Sequence, residues 1–233
     1  MLSFASKTPL IRVSGVTKTY TSDAEVVWAA REVDLIAHAG EFVCIYGASG
    51  SGKSTLLNLL AGLELADSGE IQVGDRDVGE SDEAGRAELR LRTVGVVFQE
   101  YNLLEEFTAA ENVALPLEAS GIDRTSAHNE AVRQLARVGL SGLVARLPSQ
   151  MSGGQRQRVG IARALTGHRA ILLADEPTGS LDSTSTSELF ALVRTLCDEG
   201  TLAIVCSHDS RCQDFADTVY EIADGQLIAK RIS

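Results

Sequence analysis

The sequence predicts an α/β fold built around a mostly parallel sheet, and three observations support this prediction. Four segments are nearly continuous apolar runs, which is typical of strands that are buried on both faces of a parallel sheet. The segment between the last two runs is predicted to be helical. Its leucine and valine residues within 189–196 recur on one helix face. A glycine-rich turn directly follows the first run. The four apolar runs are 42–46, 94–98, 170–174 and 202–206.

The glycine-rich turn at 47–54 fits G-x-x-x-x-G-K-[ST], the phosphate-binding P-loop, and it lies between a strand-like and a helix-like run as that motif requires. Its glycines allow backbone N–H groups to point at phosphate oxygens, and the next helix adds the positive end of its dipole. Lys53 can neutralise charge on the β- and γ-phosphates, and Ser54 can offer its hydroxyl to Mg²⁺. The candidate nucleotide-binding residues of this loop are Gly47, Ala48, Ser49, Gly50, Ser51, Gly52, Lys53, Ser54 and Thr55.

The apolar segment 171–174 ends in two carboxylates, Asp175 and Glu176. Ligands gather at the carboxyl ends of strands in a parallel sheet, which is also where the P-loop is expected to lie. We expect Asp175 to hold Mg²⁺ directly or through water, and Glu176 to polarise an attacking water. Paired acids at a strand end are otherwise usually solvated, so the P-loop upstream is what favours a functional site.

A second phosphate-binding turn is predicted at 152–155, where Ser-Gly-Gly-Gln opens a helix-like segment. Glycine amides and a serine hydroxyl at a helix start can bind an anion. Because the P-loop already supplies one such site, the second turn indicates a surface that serves the nucleotide of another copy of the chain. The alternative is an ordinary capped helix, since serine is a favoured N-cap.

The remaining segments complete a P-loop NTPase core with two additions. Short strands at 10–13, 26–29 and 71–73, with Gly, Asp and Ser in their turns, predict an N-terminal antiparallel β subdomain mainly within 9–80. A helical insertion that carries the 152–155 turn is predicted at about 100–165. It includes a helix that starts with a capping box at Thr108 and that Pro116 is expected to end or kink. The expected organisation is a single domain, 1–233, with a RecA-like core formed by the rest of the chain.

Composition limits the other possibilities. Acidic residues outnumber basic ones 32 to 21, for a formal charge of −11, so the chain lacks the basic footprint that a duplex nucleic-acid binder normally shows. No run approaches the ~20 apolar residues of a membrane span, and the start lacks the features of a secretory signal, so we expect a cytoplasmic protein. None of the four cysteines forms a C-x-x-C pair, and we expect reduced, mostly buried thiols.

Taken in order, these motifs resemble the nucleotide-binding subunit of an ABC transporter over nearly the whole chain. The family elements are matched by the Walker A run at 47–54, Gln99, the signature turn at 152–155, the Walker B strand at 171–176, the D-loop at 180–182 and His208. The resemblance implies that ATP also contacts a second surface of the chain. The candidate residues of that surface are Ser152, Gly153, Gly154, Gln155 and Asp182.

The resemblance also implies roles for three isolated residues. Gln99 resembles the Q-loop glutamine that senses Mg²⁺ and the attacking water and links the site to the membrane partner. His208 resembles the histidine that contacts the γ-phosphate, and Tyr20 resembles the aromatic residue that stacks on adenine. Two positions depart from the usual pattern: Met151 replaces the commonest leucine, and Ala48 stands where proline is frequent. Both changes are conservative enough to leave hydrolysis expected.

As a whole, the resemblance implies two copies that pair head to tail with ATP between them, and an integral membrane permease that holds them at the inner face of the cell membrane. Segments 49–58, 111–113 and 174–183 resemble the macrolide-export and lipoprotein-release group, a mechanotransmission type. Since the sequence stops at 233, soon after the last expected strand, we expect neither a C-terminal regulatory domain nor a fused membrane domain. The alternative is a non-transport ABC ATPase that acts as a signalling motor on a membrane partner, as in cell division.

Overall fold

The structure is a computed structural model that describes residues 8–21 and 25–230. Within these residues, ten β-strands form two sheets and six α-helices pack around them. The strands are β1 (Ile11–Thr21), β2 (Val26–Ala37), β3 (Phe42–Tyr46), β4 (Ser68–Val73), β5 (Arg76–Asp77), β6 (Val94–Val97), β7 (Ile171–Asp175), β8 (Leu202–Ser207), β9 (Thr218–Ala223) and β10 (Gln226–Lys230). The helices are α1 (Lys53–Leu60), α2 (Glu83–Arg92), α3 (Ala109–Ala119), α4 (Arg124–Arg137), α5 (Gly153–Leu165) and α6 (Ser183–Asp198).

The six-stranded sheet has the order β10-β9-β3-β8-β7-β6, and every neighbouring pair except β10 with β9 is parallel. Its four predicted strands begin and end within one residue of the expected positions. Strand β3 shows why they read as continuous apolar runs. Phe42 and Cys44 enter the core beneath α3–α6, whereas Val43 and Ile45 enter the core shared with α1 and the second sheet. The predicted α/β fold with a mostly parallel sheet is confirmed.

The second sheet is antiparallel and has the order β2-β1-β4-β5. Strands β1 and β2 contain 11 and 12 residues, so they are much longer than the segments predicted at 10–13 and 26–29. The β1–β2 register shifts between Val13 and Val16, where Gly15 has a φ of 57°. Such an irregularity breaks the alternation of inward and outward side chains. The sequence pattern therefore identifies the strand before the shift but not its continuation.

Helices α3, α4 and α5 lie between β6 and β7 in the chain. Thr108 and Glu111 form the expected capping box, in which the Glu111 N–H donates to Thr108 Oγ1 at 3.3 Å and the Thr108 N–H donates to Glu111 Oε2 at 2.9 Å. Of the two effects expected of Pro116, a helix end or a kink, the helix end is wrong, because α3 continues to Ala119. The Pro116 carbonyl accepts a hydrogen bond from the Ser120 N–H at 3.2 Å, so the last turn closes beyond the proline.

All four cysteines are buried and free, as expected from their apolar surroundings. Burial raises the pKa of Cys197 to about 12, which keeps this thiol protonated and unreactive at neutral pH. None of the helices in 8–21 and 25–230 combines the length and hydropathy that a membrane crossing requires.

Gly95 on β6 lies in close contact with the backbone of α5. A Cβ added there would lie 2.0 Å from the carbonyl oxygen of Ala164, which belongs to backbone and cannot rotate away. We expect Gly95→Ala to lower the free energy of unfolding by roughly 1–3 kcal/mol through overpacking. Urea denaturation followed by circular dichroism measures this change.

Gly142 provides the matched control, because a Cβ there meets nothing within 4 Å. Gly142→Ala should change the free energy of unfolding by no more than about 0.5 kcal/mol. Equal stability of the two variants would contradict the packing described for Gly95.

Candidate functional site

A cavity of about 430 Å³ lies where several strands of the parallel sheet end. Gln99 follows β6, Asp175 and Glu176 stand at the end of β7, and His208 follows β8. These side chains line the cavity together with Tyr20 and with Ser49, Gly50, Gly52, Lys53, Ser54 and Thr55 of the P-loop region. The other loop residues predicted to bind nucleotide, Gly47, Ala48 and Ser51, line an adjacent cavity of about 400 Å³ that also reaches His208. The structure therefore brings these dispersed motifs together at one edge of the sheet.

Two positions of the P-loop require glycine, because neighbouring backbone leaves no room for a Cβ. Gly52 has a φ of 105°, and a Cβ added there would lie 2.0 Å from the carbonyl oxygen of Ala29 on β2. A Cβ added at Gly47 would lie 2.5 Å from the carbonyl oxygen of Ile222 on β9. The loop is thus pressed between both sheets, and it leads directly into α1, whose N-cap is Gly52.

Lys53 places a buried cation inside the loop. Its ammonium donates hydrogen bonds to the carbonyl oxygens of Gly47 and Ala48, both at 2.8 Å. The same nitrogen lies 3.2 Å from Glu176 Oε1, and the lysine side chain is only 5% exposed. An ammonium can be buried only when all its protons have partners, and these three oxygens supply them.

Glu176 lies between Lys53 and His208. Its Oε2 accepts a hydrogen bond from the His208 N–H at 3.2 Å and lies 2.8 Å from His208 Nδ1. Its backbone has a φ of 45°, and its N–H donates to the carbonyl oxygen of Cys206 on β8 at 2.9 Å. A positive φ is unfavourable for a residue with a Cβ, and such strain is concentrated at functional sites. The strain here aims the carboxylate into the cavity.

Asp175 has the environment of a Mg²⁺ ligand. Burial raises its pKa, although a hydrogen bond from the Ser54 side chain opposes this effect. Its Oδ1 is buried and has no hydrogen-bond partner. A hydroxyl beside a carboxylate suits Mg²⁺, which prefers oxygen ligands and completes its coordination with phosphate and water. Within the described ranges, no group of three or more His, Cys, Asp or Glu side chains is placed to hold a metal ion. A metal ion at Asp175 would therefore need further ligands, such as phosphate and water.

Tyr20 lines the cavity and is 41% exposed as a residue. Its hydroxyl donates to Glu64 Oε2 and lies 3.4 Å from Thr55 Oγ1. Asn58 on α1 donates to the other oxygen of Glu64 at 2.8 Å, so the phenol is connected to α1. Glu64 was not predicted from the sequence, since a glutamate in a loop gives no signal of this contact.

Gln99 is exposed at the end of β6. Its amide nitrogen lies 3.1 Å from the position of a Cβ added at Gly179, in the turn that follows Glu176. The residue before it, Phe98, accepts a hydrogen bond from Gln157 of α5 at 3.4 Å through its carbonyl oxygen. The Gln99 segment therefore joins the cavity to the helical insertion.

The residues predicted for the second surface do not line the cavity in the part of the chain that is described. Ser152 is the N-cap of α5 and forms a capping box with Gln155, whose N–H donates to Ser152 Oγ at 3.3 Å. Asp182 is the N-cap of α6 and accepts a hydrogen bond from the Ser185 N–H at 2.9 Å. Both residues therefore serve as helix caps. The expectation that Ser152 caps a helix is confirmed, whereas its binding of phosphate stays a prediction.

The signature turn and the D-loop nevertheless meet each other. A Cβ added at Gly153 would lie 3.3 Å from Leu181 Cδ2 and 3.7 Å from the carbonyl oxygen of Ser180. A Cβ added at Gly154 would lie 3.4 Å from Ser185 Cβ. The predicted site residues thus form two groups, one within the cavity and one outside it.

A family model described as ABC transporter matches residues 30–179, which include the P-loop, Gln99, the signature turn and the two carboxylates of β7. The chain belongs to the ABC transporter family. The site described above is therefore that of an ATP-binding cassette.

Curated relatives of this ABC cassette carry names of exporters. The macrolide export ATP-binding/permease protein MacB of Salmonella choleraesuis (strain SC-B67) is 44% identical over 221 residues, which cover 95% of this chain and 34% of that protein. A probable export ATP-binding/permease protein of Pseudomonas fluorescens (strain Pf0-1) is 40% identical over 223 residues, which cover 96% of this chain and 34% of that protein. The chain spans about a third of the length of these relatives.

Solved structures of ABC cassettes share the whole fold. The ATP-binding cassette MJ0796, in a dimeric post-hydrolysis state bound to ADP and Pi, has a TM-score of 0.86 and 34% identity, and the match covers 96% of this chain and 99% of that one. The cassette cbiO1 of Clostridium perfringens has a TM-score of 0.84 and 25% identity, and the match covers 94% of this chain and 87% of that one.

The partly buried carboxylate of Asp175 should lower the stability of this ABC cassette at neutral pH. Because the folded-state pKa is raised, folding favours the protonated carboxyl, and this contribution is lost as the pH rises through that pKa. Asp175→Asn carries no charge at any pH, so we expect its unfolding temperature at pH 7.5, with EDTA and without nucleotide, to be higher than that of the wild type. Differential scanning calorimetry measures this difference.

The gain should shrink as the pH is lowered toward 3.8, the ordinary pKa of the group. A gain that is the same at both pH values, or a loss at pH 7.5, would show that charge burial is not its cause.

Proposed function

We propose that the chain is the ATP-binding subunit of a macrolide-export type ABC transporter, in which ATP joins two copies head to tail and Mg²⁺-dependent hydrolysis drives a membrane permease. The observation that carries this proposal is the division of the site into two groups. Lys53, Asp175, Glu176 and His208 share one cavity, whereas the signature turn stands outside it. A second copy, turned head to tail, is the arrangement that lets the signature turn reach a triphosphate.

Each residue of the cavity has a distinct role in the proposed reaction. Lys53 and the amides of its loop bind the β- and γ-phosphates, and Tyr20 stacks on the adenine. Glu176 accepts a proton from the attacking water, and its two contacts with His208 keep the carboxylate oriented. Asp175 and Ser54 would hold Mg²⁺, which would supply positive charge beside the phosphates.

The proposed contribution of the second copy is electrostatic. Ser152, Gly153 and Gly154 present a hydroxyl and two backbone amides at the N-terminus of α5, where the helix dipole favours an anion. The γ-phosphate completes the interface between the copies, and its loss after hydrolysis weakens that interface. Similarity to the dimeric MJ0796 cassette supports this arrangement.

The proposed group and location follow from the relatives. Proteins named as macrolide export or probable export ATP-binding/permease proteins match almost the entire chain, which supports an exporter. We propose an exporter or mechanotransmission system whose substrate is a macrolide, lipoprotein, haem or peptide, as the resemblance in the sequence implies. We place the subunit at the cytoplasmic face of the membrane, attached through its permease. We propose that the permease, rather than this subunit, sets the substrate.

Glu176→Gln is the central test. The amide keeps the size of the side chain but cannot accept the proton, so hydrolysis should fall by at least about 100-fold while ATP still binds. The variant should accumulate as an ATP-bound dimer. Size-exclusion chromatography coupled to light scattering, with and without ATP, measures this together with phosphate release.

Two further variants give the controls. Glu188→Gln removes a carboxylate that pairs with Arg158 on the surface and should leave turnover unchanged. Ser152→Arg, added to Glu176→Gln, should abolish the ATP-dependent dimer, because its bulk blocks the signature turn. Unchanged turnover in Glu176→Gln, or a dimer that tolerates Ser152→Arg, would reject the proposed mechanism.

The proposed permease contact is the surface that starts at Gln99. A cavity of about 280 Å³ beside β6 is lined by apolar residues, including Leu63, Phe98 and Pro116, and by three arginines, Arg90, Arg163 and Arg169. Phe98, Leu104 and Phe107 along the same segment are each at least 36% exposed. Exposed apolar side chains in this density indicate a binding surface, and a cytoplasmic helix of the permease is the occupant that we propose.

Crosslinking through an introduced cysteine tests this contact. The four native cysteines are buried, so a thiol reagent should react with the introduced cysteine in preference to them. Phe107→Cys introduces an exposed cysteine, and in membranes that contain the whole transporter a bifunctional thiol reagent should link it to a membrane-spanning protein identified by mass spectrometry. Ile228→Cys, which replaces a 57% exposed residue on β10, is the control and should give no such product. The same product from both variants would contradict the proposed surface.

A further inference from the structure

The guanidinium of Arg211 joins the segment that follows β8 to the start of α6, and both border the candidate site. Its Nε lies 2.9 Å from Asp209 Oδ1, and its Nη2 lies 2.5 Å from Asp209 Oδ2. Its Nη1 donates to both the carbonyl oxygen and the hydroxyl of Ser183, at 3.0 and 2.7 Å. The planar fork of arginine can make all these bonds at once, which a lysine ammonium cannot do in the same geometry.

On one side, this fork restrains the loop that carries His208. Asp209 is the next residue in the chain, and its N–H donates to the hydroxyl of buried Ser207 at 3.0 Å. Asp209 Oδ1 also accepts a hydrogen bond from the Arg211 N–H at 3.0 Å. Hydrogen bonds thus restrain both the backbone and the carboxylate of Asp209, the residue that follows His208. His208 itself contacts Glu176.

On the other side, the fork restrains the start of α6. Ser183 directly follows Asp182, the N-cap of this helix. The D-loop residues Ser180 and Leu181 lie against Gly153 of the signature turn. Arg211 thus connects the loop of His208, which lines the cavity, to the face that stands outside the cavity.

We propose that Arg211 is a positioning residue that couples the Glu176–His208 pair of one ATP site to the D-loop and signature turn that complete the other ATP site of the dimer. This inference rests on the proposed head-to-tail dimer. A shift of the D-loop when the second copy binds is passed through Ser183 and Arg211 to Asp209, and then to His208. Since Arg211 is about one-third exposed, its ion pair contributes little to folding, so its main effect is on the geometry of the site.

Arg211→Ala tests the coupling, with hydrolysis and nucleotide binding measured separately. We expect kcat at saturating Mg-ATP to fall about tenfold, as for other losses of positioning. The Kd of a non-hydrolysable ATP analogue, measured on dilute monomer by calorimetry, should stay within about twofold of the wild type, because Arg211 does not line the nucleotide cavity. The dependence of rate on ATP concentration should become less sigmoidal.

Three companion variants separate positioning from stability. Arg194→Ala is the matched control: Arg194 also joins α6 to a distant loop, through Asp217 at 2.6 Å and the carbonyl oxygen of Gly40 at 3.1 Å, but it touches neither site loop. It should keep the wild-type kcat. Arg211→Lys should restore only part of the activity, because it keeps the charge and loses the fork. Ser183→Ala should lower kcat less than Arg211→Ala and add nothing to it in the double variant.

The outcomes are distinct. An unchanged kcat in Arg211→Ala overturns the inference, and so does an equal loss in Arg194→Ala accompanied by a lower unfolding temperature in both. Full activity in Arg211→Lys also overturns it, since charge alone would then be sufficient. Failure of the wild-type protein to hydrolyse Mg-ATP would instead refute the proposed function, and the wild-type rate reports this before any variant is compared.

Discussion

The buried ammonium of Lys53 is the constraint on which the rest of the site depends. A cation with 5% exposure needs an acceptor for each proton, and it finds two in the carbonyl oxygens of Gly47 and Ala48 and one in Glu176. The loop must therefore curl around the end of its own helix. Residues without a Cβ are required where the curled loop meets β2 and β9, which explains Gly52 and Gly47.

The same lysine unites elements that are far apart in the sequence. Its partner Glu176 stands at the end of β7 and bonds to the backbone of β8 and to His208 beyond it. Because β3, β7 and β8 are adjacent parallel strands, their carboxyl ends bring the loop, the acids and the histidine to one edge. The sheet order thus makes the chemistry possible, and side-chain hydrogen bonds refine it.

The sequence alone predicts the features that leave a regular pattern of residues, namely the buried strands and the P-loop. Buried strands must be apolar on both faces, and a phosphate loop must contain glycine at fixed spacings, so the sheet and its ligand-binding edge are readable. Contacts made by single polar side chains across the fold are not. Glu64 beneath Tyr20 and Arg211 beside His208 give no local pattern, because their partners come from segments separated by tens of residues.

Local deviations from regular structure also escaped prediction. The register shift near Gly15 hides most of β1, and the turn beyond Pro116 shows that tertiary packing can extend a helix through a residue that usually ends one. Proline removes one hydrogen bond and adds a steric conflict. The buried face of α3, which includes Val113 and Ala114, offsets that cost through contacts that the sequence pattern does not reveal.

The close contact between Gly95 and Ala164 has a mechanical consequence. It holds the C-terminal end of α5 against β6, while the opposite end of the helix carries the signature turn about 18 Å away at 1.5 Å per residue. If α5 tilted as a rigid rod about this contact, the signature turn would move farther than the rest of the helix. A tilt of about 5° at this contact displaces the turn by ~1.6 Å over that length, enough to make or break a hydrogen bond. A small rotation at the contact between Gly95 and Ala164 would therefore produce a larger displacement of the signature turn, where the two proposed copies would meet.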